Sequence, residues 1–406
     1  MQPWQSPSSP SVPALPGKGE LPSVFDTSRQ AKVVAGTASS ASMYVCGITP
    51  YDATHMGHAA TYVAFDILNR VWRDAGADVR YVQNVTDVDE PLLERAAATG
   101  QSWEDLAHRE IELFHSDMTA LRVLPPSHYV GVVESISLIA QHVEQLQRSG
   151  AGYDVDTDLY FAADAAEGFG SVSHYDRETM LAFFAERGGD PGRAGKKDPL
   201  DWLLWRGERP GEPAWDSPVR RGRPGWHVEC SAIAMHYLGV PVDVQGGGSD
   251  LIFPHHEMCA AQATAASGEP LATAYVHAGM VGYEGEKMSK SRGNLVFVSK
   301  LLEAGVDPMA IRLALLDHHY RTDWEWTAAD LEAAGARLRS WRAAVARRSG
   351  ADAGPLVAAV RNSLADDLDA GSALHAFDGW AASDGDDAGA PALAIAVADR
   401  LLGVAL

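Results

Sequence analysis

Cysteine is scarce in this chain: three residues in 406, at positions 46, 230 and 259. An odd number of widely separated cysteines supports no disulfide framework. It suits a reducing compartment where thiols stay free for metal or catalysis, so a cytoplasmic protein is expected. Long apolar runs are also missing. No stretch approaches the ~18 to 20 residues of a membrane span. The opening MQPWQSPSSPSVPALPGKGELPS has neither a basic start nor an apolar stretch before a small-residue cleavage site. It reads as a Pro/Ser-rich surface arm, with neither membrane nor export implied. Positive charge is the third deficit: 33 Lys+Arg against 54 Asp+Glu leave a net charge of −21. Holding polyanions over a broad surface needs a basic stripe, which this balance argues against, although a local basic pocket is compatible with it. What is present, 46% hydrophobic and 21% charged residues, is an ordinary soluble composition that excludes collagen-like and disordered classes. The length points to two or three packed units.

The pattern along the chain is that of an α/β protein. After an N-terminal arm over 1–42, MYVCGI at 43–48 is a short apolar run typical of a buried strand, and a polar turn follows it. From His58 to Gly76 apolar residues recur at helical spacing, and 79–88 returns to a strand. Such a strand–helix–strand unit predicts a Rossmann-like parallel sheet with ligands at the carboxyl ends of its strands. The first half of that domain is expected over 43–125, with 101–149 largely helical apart from Pro125-Pro126. A connective insertion rich in Gly, Pro and Arg is expected over 126–220. The second half, 221–300, includes a strand feeding the Gly-rich turn of VPVDVQGGGSDLIFPHHE at 240–257. Beyond Lys300 no lysine occurs, and the Ala-, Leu-, Asp- and Arg-rich remainder, 301–406, predicts a helical C-terminal domain.

Two motifs carry chemistry. THMGHA at 54–59 sets His55 and His58 on one side of a first helical turn, where backbone N–H groups and the helix dipole attract phosphate. GEKMSKSRGN at 285–294 offers Lys287 and Lys290, able to neutralise charge developing on a polyphosphate. Either motif alone is weak; their order in the chain is far more specific. Together they resemble the nucleotidylating site of class I aminoacyl-tRNA synthetases. YVCGITPYD, YVQNVTDVDE, RPGWHVECSA, GGGSDLIFPHHE and KMSKSRGN match, in order, the signatures of cysteinyl-tRNA synthetase and its relatives, over about Tyr44 to Leu295.

Cys46, Cys230 and His255 all fall inside matching blocks. Two thiolates and one imidazole suit Zn²⁺ and leave a fourth position open, as catalytic zinc sites do. The resemblance implies one zinc per chain, recognising the thiol of substrate cysteine, which serine cannot imitate. It places ATP with Mg²⁺ as a substrate, and His55, His58, Lys287 and Lys290 at the phosphates. It also carries the amino-acid and adenylate contacts onto Cys46, Gly47, Ile48, Thr49, Thr61, Asn84, Val85, Thr86, Trp226, Gly248, Ser249, Asp250 and Val281. In cysteinyl-tRNA synthetase the residue four after the histidine ligand is a glutamate; here it is Cys259, either a fourth ligand or a buried bystander, with the bystander favoured.

Other departures separate the chain from the tRNA-charging enzyme. The family's Gly-Asn-Ala-Arg-Thr is Gly57-His58-Ala59-Ala60-Thr61, and Pro91 replaces a lysine. Only 115 residues follow the KMSKS loop, short for a helical bundle plus an anticodon-reading region. Residues 327–406 hold seven Arg against eleven Asp+Glu, ill suited to a tRNA arm. With ERGGDP at 186–191 and HYRTDWEW at 319–326, these features resemble the ligases of the mycothiol pathway. Those enzymes join L-cysteine to the amine of 1D-myo-inositol 2-amino-2-deoxy-α-D-glucopyranoside through a cysteinyl-adenylate. The resemblance implies L-cysteine, ATP and an aminosugar-inositol as small-molecule partners rather than tRNA; a monomer is expected because no coiled-coil pattern or large apolar stripe stands out. Cysteinyl-tRNA synthetase is the alternative. A catalytically dead relative comes third, because the signature lysines and metal ligands all stand. Asp87, Asp250 and His227 are candidates for the base that keeps the acceptor amine neutral.

Overall fold

The computed structural model describes residues 1–7, 12–51, 54–288 and 294–406; of Lys287 only the backbone is described, and Lys290 lies outside these residues. A hairpin of β1 (Ser23–Asp26) and β2 (Ala31–Val34) precedes β3 (Ser40–Val45), α1 (Met56–Ala75) and β4 (Asp78–Val85). Then come α2 (Glu90–Thr99), α3 (Trp103–Ala120), β5 (His128–Gly131) and α4 (Val132–Arg148). β3 is buried at every position but its first, as a strand covered on both faces must be. α1 starts at His55, whose side chain caps it, and stops at Gly76, left-handed at φ 95°, so the helix ends where a Cβ would be unfavourable.

An antiparallel sheet follows, made of β6 (Gly152–Val155), β7 (Asp158–Phe161), β8 (Trp202–Gly207) and β9 (Gly222–Pro224), with α5 (Arg177–Glu186) between β7 and β8. The chain then returns through α6 (Trp226–Leu238), β10 (Val242–Gly248), α7 (Glu257–Ser267) and β11 (Ala272–Ala278). The central sheet has the order β11-β10-β3-β4-β5, all parallel. It grows one way from β3 through β4 and β5 and the other way through β10 and β11. β3 and β10 therefore flank the switch point where a ligand crevice opens at the carboxyl ends.

Two sequence expectations need correction. The stretch read as an insertion from 126 opens with β5, a strand of the central sheet paired with β4. Four residues after two prolines are too few to display a period, so only the open edge beside β4 reveals the strand. The N-terminal arm is also more than a surface appendage. Trp4 is 4% exposed, donates from Nε1 to the Val123 carbonyl at 2.8 Å and packs edge-on against Phe114 and Tyr129.

Past β11 lie β12 (Val281–Tyr283), β13 (Glu286–Lys287), α8 (Val298–Glu303), α9 (Pro308–Leu316) and β14 (Trp324–Glu325). The helices α10 (Ala328–Val345), α11 (Gly354–Ala365), α12 (Ala370–Ala382) and α13 (Ala390–Val397) form the expected helical region. It shares one hydrophobic core with α1 and the central sheet. Buried inside that core, Asp66 of α1 accepts from Arg70 at 2.7 Å and from Arg312 of α9. Among the described residues no helix is long and apolar enough to cross a membrane.

Candidate active site

The carboxyl end of β3 is held on three sides. The Cys46 amide donates to the Gly246 carbonyl of β10 at 3.0 Å, and Thr86 donates to the Ile48 carbonyl at 3.0 Å. The Gly47 amide donates to the Asn84 side chain at 2.8 Å, and the Tyr62 hydroxyl to the Cys46 carbonyl at 3.1 Å. Gly47 has no substitute here, since a Cβ would lie 1.6 Å from the Asn84 carbonyl oxygen. Gly47→Ala must separate β3 from the end of β4. The expected result is a loss of about 1–3 kcal/mol of stability, read by urea denaturation, together with slower adenylate formation.

Beneath this strand end, Cys46, Cys230 of α6 and His255 of the turn before α7 bring their ligand atoms within 4.8 Å of one another, all buried. The protein thus assembles two soft sulfurs and an imidazole from three separate elements, a donor set that fits Zn²⁺. Burial opposes ionisation of Cys230, yet the Cys46 thiol and the His255 imidazole outweigh it and hold the Cys230 thiol well below its usual range. Burial pushes Cys46 and Cys259 up. Cys259 stands 3.8 Å from His255 Nε2 but outside the triad, and its thiol donates to the His227 carbonyl at 3.2 Å. Trp226 stacks on His255 with ring centroids 4.4 Å apart, walling the triad.

At the start of α1 the rings of His55 and His58 stack at 3.9 Å, on one side of the first turn as their spacing predicts. His55 Nδ1 accepts from the Gly57 amide at 3.1 Å, which fixes the ring over the helix N-terminus. The segment after the KMSKS loop is sewn to this point: Met56 donates to the Val296 carbonyl at 2.9 Å and Val298 to the Thr54 carbonyl at 3.0 Å. Thr61 donates to the Gly57 carbonyl, while Gly248, Ser249 and Asp250 form the turn leaving β10. Asn84 donates to the Thr86 hydroxyl at 3.2 Å, and Val85 closes β4. Val281 opens β12, whose backbone pairs with β13 at Lys287. Hydrogen bonds thus link the end of β3 to β4, β10 and α1, and the start of α1 to the segment after the KMSKS loop. Thr49, Trp226, His227 and Asp250 open into a cleft of about 960 Å³ that continues toward the insertion.

A family model described as "tRNA synthetases class I (C) catalytic domain" matches residues 32–336. A protein of Thermobifida fusca named "L-cysteine:1D-myo-inositol 2-amino-2-deoxy-alpha-D-glucopyranoside ligase" is 62% identical over 411 residues, covering 100% of this chain and 99% of its own. The chain belongs to this ligase family. A ligase of the same name from Acidothermus cellulolyticus is 63% identical over 398 residues, covering 98% of this chain and 99% of its own. Among solved structures, Mycobacterium tuberculosis methionyl-tRNA synthetase in complex with methionyl-adenylate aligns with a TM-score of 0.58 at 17% identity over 89% of each chain. That likeness is one of fold.

Sequence reading missed the layer behind the triad in this ligase-family site. His256 Nε2 lies 3.3 Å from the Cys46 sulfur, and its Nδ1 lies 2.7 Å from His277 Nε2, whose Nδ1 meets the Thr27 hydroxyl at 2.7 Å. Gln245 donates to Cys46 at 3.4 Å, and the Nδ1 atoms of His227 and His255 are 2.9 Å apart. Burial lowers His227, His256 and His277, the last to about 3, which favours the neutral rings, placed to orient the thiols and His255. The doublet His255-His256 was the one available signal; His277 and Thr27 come close only through the fold. Asp89 was missed too. It lines the cleft, and burial together with neighbouring Glu90 pushes its carboxyl up to about 8.

Proposed function

We propose that the chain ligates L-cysteine to the amine of 1D-myo-inositol 2-amino-2-deoxy-α-D-glucopyranoside, consuming ATP and releasing pyrophosphate and AMP, as a step of mycothiol biosynthesis. The observation that carries this reading is the full-length likeness to ligases of that name.

In the first half-reaction a cysteine carboxylate oxygen attacks the α-phosphorus of ATP. The new O–P bond forms as the bond to pyrophosphate breaks. His55 and His58 are set at a helix N-terminus, where N–H groups and the dipole favour phosphate. Lys287 and Lys290 are proposed to meet the charge developing on the leaving group. The crevice residues Cys46 to Thr49, Thr61 and Asn84 to Thr86 would line the amino acid, with Trp226 as a wall. Gly248 to Asp250 would face the ribose and Val281 the adenine. In the second half-reaction the neutral amine attacks the acyl carbon, the C–N bond forms, the C–O bond to AMP breaks, and the amine proton passes to a base. His227 is poorly suited to that role, since its Nδ1 already faces His255 and burial depresses its basicity. Asp87, which accepts from the Val133 amide at 2.9 Å and is pushed up to about 6 by burial, remains a candidate with Asp250.

Cys46, Cys230 and His255 would hold zinc. When bound, zinc supplies a soft Lewis acid that takes the cysteine thiolate in preference to an alcohol. Cys259, turned to a backbone carbonyl, is not needed as a ligand. The variant Cys259→Ser is expected to keep its zinc content by elemental analysis and its cysteine KM; loss of zinc would make it a ligand.

AMP release with cysteine and ATP, comparing the aminosugar-inositol with tRNA as acceptor, tests the function. Turnover with the sugar alone is the expected result. Acceptance of tRNA but not of the sugar would make the chain a cysteinyl-tRNA synthetase.

A further inference from the structure

The cleft beyond Trp226 is bounded by α2 on one side and by the ERGGDP turn after α5 on the other. Its charge is unevenly satisfied. Every arginine on its wall already has an acceptor: Arg187 donates to the carbonyls of Asp250 and Phe253 at 2.7 and 2.5 Å. Arg193 and Arg209 both hold Asp158 at 2.9 Å, and Arg206 pairs with Glu90 at 2.6 Å. Glu94 and Glu186 differ. Both are exposed on the wall, and among the described residues neither has an ion-pair or hydrogen-bond partner. Carbonyl acceptors leave the charge of Arg187 standing, but the lining carries seven carboxyl groups against four arginines, so the balance of the cleft is negative. A phosphodiester chain entering it would meet carboxylates with no free guanidinium to offset them. A polyhydroxylated ammonium would meet acceptors, with the half-buried Trp226 in the same wall offering aromatic surface to the carbon skeleton of a ring.

The wall is rigid where Glu186 is set. Arg187 ties the turn to the residues leaving β10. A Cβ on Gly189 would lie 2.3 Å from the Phe184 ring, so the backbone packs directly on that aromatic. The ERGGDP segment is thereby fastened to the edge of the reaction centre rather than left as a loose connection.

We propose that this cleft is the acceptor subsite, in which the unopposed carboxylates of Glu94 and Glu186 select an aminated polyol in its ammonium form and hold it beside Trp226. The proposal rests on the ligase reading above and adds where the acceptor sits and what selects it.

The test uses the full-length protein, glucosaminyl-inositol as acceptor, and its N-acetylated form as an uncharged, unreactive competitor. The double variant Glu94→Gln/Glu186→Gln is expected to raise the acceptor KM about tenfold or more, as loss of two charge-assisted contacts does, with a much smaller change in kcat. It should also bind the N-acetyl competitor as well as wild type does, so that the preference for the charged amine disappears. Cysteine-dependent pyrophosphate exchange needs no acceptor and reports that the variant is folded; if exchange falls, the two single variants at these exposed positions carry the same comparison. Unchanged KM and unchanged preference would overturn the subsite while the ligase reading stands. A wild-type protein that does not consume the aminosugar would overturn the ligase reading, and the subsite with it.

Discussion

Replacing Cys230 by serine is expected to strip the protein of zinc and to remove its selectivity for cysteine, while the fold survives. Cys230 is the proposed ligand whose thiol, despite burial, the neighbouring Cys46 and His255 hold well below its usual range, and it is one of only two sulfurs in the triad. Serine is nearly isosteric, and its hydroxyl stays protonated and hard, so packing in the buried layer of α6 is retained while the soft donor is lost. Mutating a residue behind the ligands in such sites costs about 10- to 100-fold in metal affinity. Losing one of three ligands should exceed the upper end of that range, about 100-fold or more. Elemental analysis should fall from one zinc per chain to near none. The cysteine KM in pyrophosphate exchange should rise by a similar factor, with circular dichroism unchanged. Full zinc content in Cys230→Ser would remove the triad as the metal site.

The largest effect on stability is expected far from the chemistry. Arg312 is fully buried; it donates to the Leu402 carbonyl at 2.6 Å, to the Leu121 carbonyl at 2.7 Å and to Asp66. It thereby joins α9, the turn after α3, the C-terminal residues and α1. Arg312→Met leaves two carbonyls without a donor and takes from Asp66 one of its two cations. Breaking a buried pair on one side costs roughly 3–5 kcal/mol, because the remaining charge is left uncompensated. Lys300→Met is the matched surface control. Lys300 and Glu303 are 69% and 64% exposed, so losing that pair should cost well under about 1 kcal/mol. Urea midpoints of the two variants, read by tryptophan fluorescence, make the comparison. The pH dependence has a definite sign. Burial raises Asp66, but Arg70 and Arg312 outweigh it and hold the carboxyl below its usual value. Its contribution is therefore present above the unfolded carboxylate value of about 3.9 and lost as pH falls through the folded value. Arg312→Met should flatten that acid loss.

The parts of the fold that could be read directly are those where one local rule acts alone. α1 ends at Gly76, a left-handed helix stop, while β3 shows as a short apolar run and β4 as an alternating one between turns. β5 could not be read: its four residues acquire meaning only from the edge of β4. Trp4 in a Pro/Ser-rich arm was hidden for a related reason, since its partners Phe114, Tyr129 and Val123 lie more than a hundred residues away.

The site divides in the same way. Residue type and the matching motifs single out Cys46, Cys230 and His255 as the proposed metal donors and His55 and His58 as the proposed phosphate contacts, because ligand softness and charge belong to the side chains themselves. Whether those donors converge, whether Cys259 joins them, and which neutral rings orient them depends on contacts spanning up to about 250 residues. The scarcity of cysteine and of positive charge was plain from the sequence. That Cys46 and Cys230 meet His255 at one strand end, and that Glu94 and Glu186 of the neighbouring cleft have no partner among the described residues while its arginines all have acceptors, was decided by the tertiary structure. Pairing is a property of distance, and distance is set by the packing of the whole chain.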